Sequence, residues 1–175
     1  MGYGQGLLIT DLQLAAAVGA LANGGVLMRP YMVQELRGPN GQLVQRTKPE
    51  QVRQVVSAET ARTVLGMMRR VVEVGTGTRA AIPGVAVAGK TGTAQKVVPG
   101  HPGYAPGRYV SSFVGIVGWD VGQPIVILVT VDEPQGGATG GIAAAPAFRE
   151  TAEATLRHLG MLPAAKAIAR AGANR

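Results

Sequence analysis

The stretch PGVAVAGKTGTAQ, residues 83–95, constrains the fold more than any other, because its two readings demand opposite backbones. From Gly84 to Thr91 it spells G-V-A-V-A-G-K-T, which fits the phosphate-binding pattern G-x-x-x-x-G-K-[ST]. That reading needs a buried strand before the first glycine and a helix that begins at the lysine, with its amides facing the phosphates. Neither flank fits. Pro83 stands where the central strand should end. Val-Ala-Val-Ala favours extended chain over a tight loop, and Gly92 makes a poor first helical turn. Downstream, IVILVTVDE imitates a strand whose acidic end holds magnesium, but Pro134 and Gly136-Gly137 follow directly. No long crossover separates it from the preceding strand, as a parallel pair would require. The residues therefore predict a strand running through Lys90, and no nucleotide or other cofactor.

Composition narrows the remaining classes. A chain of 175 residues suits one ordinary domain or part of a larger one, and 46% hydrophobic with 15% charged residues suits a globular core. Lys and Arg number 17 against 10 acids, a formal charge of +7. The basic residues are scattered, and few aromatics are present to stack on bases, so nucleic acid is not an expected partner. The longest basic cluster, Arg69-Arg70, is expected at a helix end, where it complements the dipole. Cysteine is absent, which excludes disulfides and thiolate ligands; His101 and His158 are far apart, and no metal site is expected. No window reaches the roughly 18 apolar residues of a membrane span. LLITDLQLAAAVGALA is interrupted by Asp11 and Gln13 and has no basic leader, so neither a signal nor an anchor is expected within this chain.

Local patterns predict the elements. TDLQLAAAVGALAN (10–23) has helical spacing, with Thr10 or Asp11 as cap and Asn23-Gly24-Gly25 as stop. VLMRPYMVQELR reads as one extended segment, PNGQ (39–42) as a turn and LVQRT as the returning strand. Ser57 caps a second helix whose buried stripe is Val64, Leu65, Met68, Val71 and Val72, stopped by VGTGTR. Strands are expected at 85–94, 109–118 and 124–131, the last a continuous apolar run. A helix over 142–159 follows, with Pro146 in its first turn. Residues 163–175 are expected to be a loose tail. The class is α+β: an antiparallel sheet with flanking helices.

Several of these segments together resemble a known family. Lys90-Thr91-Gly92-Thr93 is similar to the K-T-G element of penicillin-binding enzymes and their β-lactamase relatives. GYGQGLLITDLQLAAAVGALANGG, GTGTRAAIPGVAVAGKTGTAQK, SSFVG, VTVDEP and GGIAAAPAFRETAEATLRHLG match in the family's order. Residues 1–162 resemble the C-terminal part of the transpeptidase domain of a class B, monofunctional penicillin-binding protein of division or elongation type. The resemblance implies part of the penicillin-binding protein/β-lactamase-like fold, with the K-T-G strand at a sheet edge. It implies that Lys90 supplies positive charge, and that Thr91 and Thr93 bind the terminal carboxylate of a D-alanyl-D-alanine stem peptide or of a β-lactam. The backbone N–H of Thr93 would form half of the oxyanion hole, Gly92 would leave room for substrate, and Tyr109 would line the cleft. Thr76-Gly77-Thr78 would be structural support behind the site. Many relatives carry aromatics where this chain has Ala138 and Thr139, which puts a hydrophobic clamp on the acyl group in doubt.

The chain departs from the family in one more respect. Its serines are Ser57, Ser111 and Ser112; none has Lys three residues later or Asn two residues later. The nucleophile and its lysine base are missing from these residues, and a transpeptidase needs both. The expectation is a fragment whose upstream half carries them and whose parent is anchored in the inner membrane, with an extracytoplasmic catalytic domain. The other readings that stay open are a non-catalytic remnant or binding module and, against its poor flanks, a nucleotide-binding protein through Gly84–Thr91.

Overall fold

The computed structural model describes residues 6–100, 102–137 and 139–162. The expected tail 163–175, His101 and Ala138 lie outside these residues. Helix α1, Asp11–Ala22, starts at Thr10, whose side chain accepts from the Gln13 amide while the Gln13 side chain accepts from the Thr10 amide. This reciprocal cap satisfies two otherwise orphaned donors. Asn23 ends the helix, and Gly24 and Gly25 take positive φ.

The segment read as one strand is two. Strand β1, Val26–Met28, pairs antiparallel with β4, Gln51–Gln54, whereas β2, Glu35–Arg37, pairs with β3, Leu43–Arg46. Pro30 lies between β1 and β2, where it removes a ladder donor and lets the chain change partners. Helix α2, Ala58–Val74, is capped by Ser57, which accepts from the Thr60 amide at 3.1 Å. Its buried stripe is Ala61, Leu65, Met68 and Val72, with Val64 and Val71 half-buried. Arg69 and Arg70 do not sit at its end; they lie a turn earlier and both pair with Glu73.

The main sheet is a meander in the order β5-β6-β7: Ala88–Val97, Tyr104–Val117 and Ile125–Asp132, all antiparallel. The first strand begins three residues later than expected. Pro83 and Gly84 make a turn, with Gly84 at φ 74° and the Val85 amide donating to the Ile82 carbonyl at 3.1 Å. The second strand begins five residues earlier, at Tyr104. Alternation gives the sheet two unlike faces. On one, Ala88, Val114 and Ile116 pack with Val18 of α1 and with Leu65 and Met68 of α2. On the other, Phe113 and Val117 pack with Ala144, Ala145, Phe148, Ala152 and Leu156 of helix α3, Gly140–His158. Because α3 begins at Gly140, Pro146 is in its second turn rather than its first. The backbone bond it cannot make would go to Ile142, on the exposed side of the helix.

Candidate active site

Strand β5 carries the run Lys90-Thr91-Gly92-Thr93 at its middle. It borders β6 on one side, and no described strand lies along the other. The chain continues as strand to Val97, so no helix starts at Lys90 and its amides cannot converge on a phosphate. The acidic end of the decoy strand is also taken. Asp132 and Glu133 pair with Lys96, and Glu133 also with Arg108.

The two faces of β5 divide the run. Lys90 and Gly92 look toward α1, opposite Val114 and Ser112 of β6. There they line a hollow of about 340 Å³ closed by Ile9, Asp11 and Leu14. Lys90 is exposed, and its Nζ donates to the Thr91 carbonyl at 2.8 Å. At Gly92 a Cβ would stand 2.5 Å from Ser112 Oγ, so a side chain there would make that hydroxyl rotate away. Asp11 is tied to the far wall, accepting from Thr130 Oγ1 at 3.3 Å.

Thr91 and Thr93 belong to the opposite face, where each hydroxyl meets a partner from outside the strand. Thr76 Oγ1 lies 2.9 Å from Thr91 Oγ1. The Gly140 amide, at the start of α3, donates to Thr93 Oγ1 at 3.3 Å. Three glycines allow this closeness. Gly77 lies against Phe113, where a Cβ would be 3.1 Å from the ring. A Cβ on Gly140 would fall 2.5 Å from the Gly92 carbonyl, and Gly141 abuts Thr76 and Thr91 in the same way. Tyr109 pairs with Gln95 on the threonine face and is half-buried; it is not among the residues lining the hollow beside Lys90.

Residues 1–153 match the penicillin binding protein transpeptidase domain. The chain belongs to the penicillin-binding protein transpeptidase family. It is 38% identical over 163 residues to stage V sporulation protein D of Bacillus subtilis, covering 92% of this chain and 25% of that protein. It is 41% identical over 158 residues to the penicillin-binding protein PbpB of Mycolicibacterium smegmatis, covering 85% and 24%. Among solved structures it is similar to penicillin binding protein 3 of Mycobacterium tuberculosis, with TM-score 0.78, 37% identity, and 89% of this chain and 36% of that one covered. A second structure of that protein, complexed with aztreonam, matches equally. The chain thus spans about a quarter of the length of these curated relatives.

Within this transpeptidase fold, the structure brings Lys90, Thr91, Gly92 and Thr93 together on one open strand and sets Tyr109 two residues beyond Ser111, the cross-strand partner of Thr93. It sets beside them Thr76, read from the sequence as support behind the site, and three residues that a residue-type search passes over: Gly140, Ser112 and Asp11. Of these, Thr76 had a signal, its glycine-flanked turn, but its contact with Thr91 spans fifteen residues and has no local pattern.

At the far end of the strands the charges are concentrated. Hydrogen bonds from Arg108, then Lys96, hold the Glu133 carboxyl down to about 2, below its usual range. The same contacts, led by Asp132, raise Lys96, and Glu133 raises Arg108. Among the described residues, no helix is long and apolar enough to cross a membrane.

Proposed function

We propose that β5 is the substrate-binding edge of a serine D,D-transpeptidase that cross-links peptidoglycan stem peptides and is acylated by β-lactams. Its nucleophilic serine and lysine base come from polypeptide outside these 175 residues, as do a membrane anchor and the remaining strands, with the domain on the extracytoplasmic side. The observation that carries this reading is the open outer side of β5 along Lys90-Thr91-Gly92-Thr93, in a chain of this family.

The geometry suits an anionic acyl donor. Thr93 Oγ1 accepts from the Gly140 amide, which leaves its own proton to donate to a carboxylate. In the Thr76–Thr91 pair one hydroxyl donates to the other, so one proton there also remains for ligand. The amino end of α3 adds positive potential behind both. Outward amides recur every second residue along an edge strand. Lys90 Nζ reaches the Thr91 carbonyl, and Thr93 shares the parity of Thr91. On this reading its N–H would stabilise the oxyanion as a serine attacks the penultimate D-alanine carbonyl and the C–N bond to the last residue breaks. The Lys90 ammonium adds charge to the same strand from the α1 face, Gly92 leaves the strand surface clear, and Tyr109 flanks the threonine face.

The test is acylation by a labelled penicillin. The 175-residue chain alone should remain unlabelled. Combined with the transpeptidase segment that carries S-x-x-K, it should yield a covalent adduct. Lys90→Ala or Thr93→Val should slow labelling by about tenfold to a hundredfold. A stoichiometric, hydrolysable adduct on the chain alone, or unchanged labelling in both variants, would overturn the proposal.

A further inference from the structure

The ladder between β5 and β6 is broken at one place. Its register slips between Gln95 and Val97, whose partners are Tyr109 and Tyr104, so Lys96, three residues beyond Thr93, faces a bulge of β6 that spans residues 105–108. A bulge leaves a residue unpaired and bends the strand that carries it. At the level of this break stands Glu133, the one non-glycine residue with positive φ (48°) among the described residues. Side-chain-bearing residues avoid that conformation, and Pro134 directly after it narrows the backbone further. Strain of this kind persists only where surrounding contacts enforce it.

Those contacts are specific. The Glu133 amide donates to the Tyr109 carbonyl at 2.9 Å, extending the β6–β7 pairing one residue past its last partners, Val110 and Asp132. The Glu133 carboxylate then takes Lys96 Nζ at 2.6 Å and Arg108 Nε at 2.9 Å. Lys96 belongs to β5 and Arg108 to β6, so one side chain spans both arms of the hairpin where their own ladder fails. Asp132 is a second acceptor for Lys96, at 2.8 Å. The cluster is partly exposed, with Lys96 the most covered member at 21%.

We infer that Glu133 is a positioning residue for the substrate-binding edge: by joining Lys96 to Arg108 across the bulge it holds residues 93–97 of β5 in line with Tyr109. This rests on the reading of β5 as that edge. The strained backbone follows from the task, since an extended Glu133 would continue β7 instead of turning back to the hairpin. The effect on chemistry would be indirect, through the alignment of the Thr93 amide.

Amide exchange on the 175-residue chain tests the positional claim without any ligand. Glu133→Gln keeps the shape and removes the charge; amides 93–97 and 104–110 should exchange about two- to fivefold faster while those of α3 stay unchanged. Raising ionic strength on the unmodified chain should reproduce the same local change, which needs no variant to fold. Glu133→Asp, too short to span both cations, should resemble Glu133→Gln. In the combined protein, Glu133→Gln should lower the saturating rate of penicillin acylation about two- to fivefold, because the Thr93 amide acts on the developing oxyanion rather than on the bound ground state. Unchanged exchange at 93–97 in both the variant and high salt would overturn the inference. Failure of the unmodified combined protein to acylate would instead overturn the transpeptidase reading, and the exchange result would stand apart from it.

Discussion

Phe113, the cross-strand partner of Thr91, meets Phe148 with ring centroids 4.8 Å apart and planes tilted by 57°. Both are fully buried, and the glycines around them are there for space: a Cβ on Gly115 would lie 2.5 Å from the Phe148 ring. Phe148→Ala should therefore cost about 3–5 kcal/mol, through lost burial and a cavity, read from denaturant unfolding. Gly115→Ala should cost about 1–3 kcal/mol, because the ring has packed neighbours on its other side and cannot retreat freely. At Thr76 the expectation is different. Thr76→Val removes the hydroxyl partner of Thr91 with little change of volume, so stability should fall by no more than about 1.5 kcal/mol. The adduct-forming rate with penicillin should fall several-fold in the combined protein, and an unchanged rate would show that Thr91 needs no such partner.

At the scale of elements, helices α1 and α2 were the most legible parts, because their starts are written in capping side chains. Helix α3 has no such cap and begins at Gly140, two residues before the expected start. Thr10 and Ser57 cap the helices they were read to cap. Ser57→Ala should lower stability by about 1 kcal/mol. The strand through Lys90 was legible for a similar reason, as Val-Ala alternation and Gly92 both disfavour a helix. Strand β4 was not. Its Gln51-Val52-Arg53-Gln54 is exposed along its length, so no apolar alternation marks it. The start of β5 was misplaced because Val85 and Val87 alternate as a strand would, yet the Pro83-Gly84 turn leaves only the later residues to pair. The cluster at the end of the sheet was illegible as well: its cations and carboxylates are 25 to 37 positions apart. Its pH dependence has a definite sign. Glu133 titrates near 2 in the folded chain, below its ordinary 4.5, so its ion pairs stabilise fully above about pH 4.5 and are lost as pH falls toward 2. The difference in melting temperature between the unmodified chain and Glu133→Gln should shrink over that window; Glu73 and Glu153, also lowered, are common to both.

At the scale of the molecule, the meander has two sides along which no described strand pairs. One belongs to β5; the other is the outer side of β7, whose residues 125–131 are mostly half-buried apolar side chains. An apolar strand with a free edge is a template for pairing with another chain. The isolated chain should associate in a concentration-dependent way, seen by sedimentation, and co-production with the rest of the transpeptidase domain should suppress this. A monodisperse, cooperatively unfolding monomer would contradict that expectation.

The connectivity of the sheet also sets an order in time. Strands β5, β6 and β7 are joined by hairpins and can close on one another as soon as they exist, and α3 follows immediately to cover one face. Helices α1 and α2 precede all three strands, although their apolar stripes pack on Val114, Ile116 and Leu128. The two helices touch each other, but their shared apolar face is completed only when the strands carrying Val114, Ile116 and Leu128 have appeared. During synthesis of these residues, the interval in which that face needs shielding is therefore the one before the meander forms.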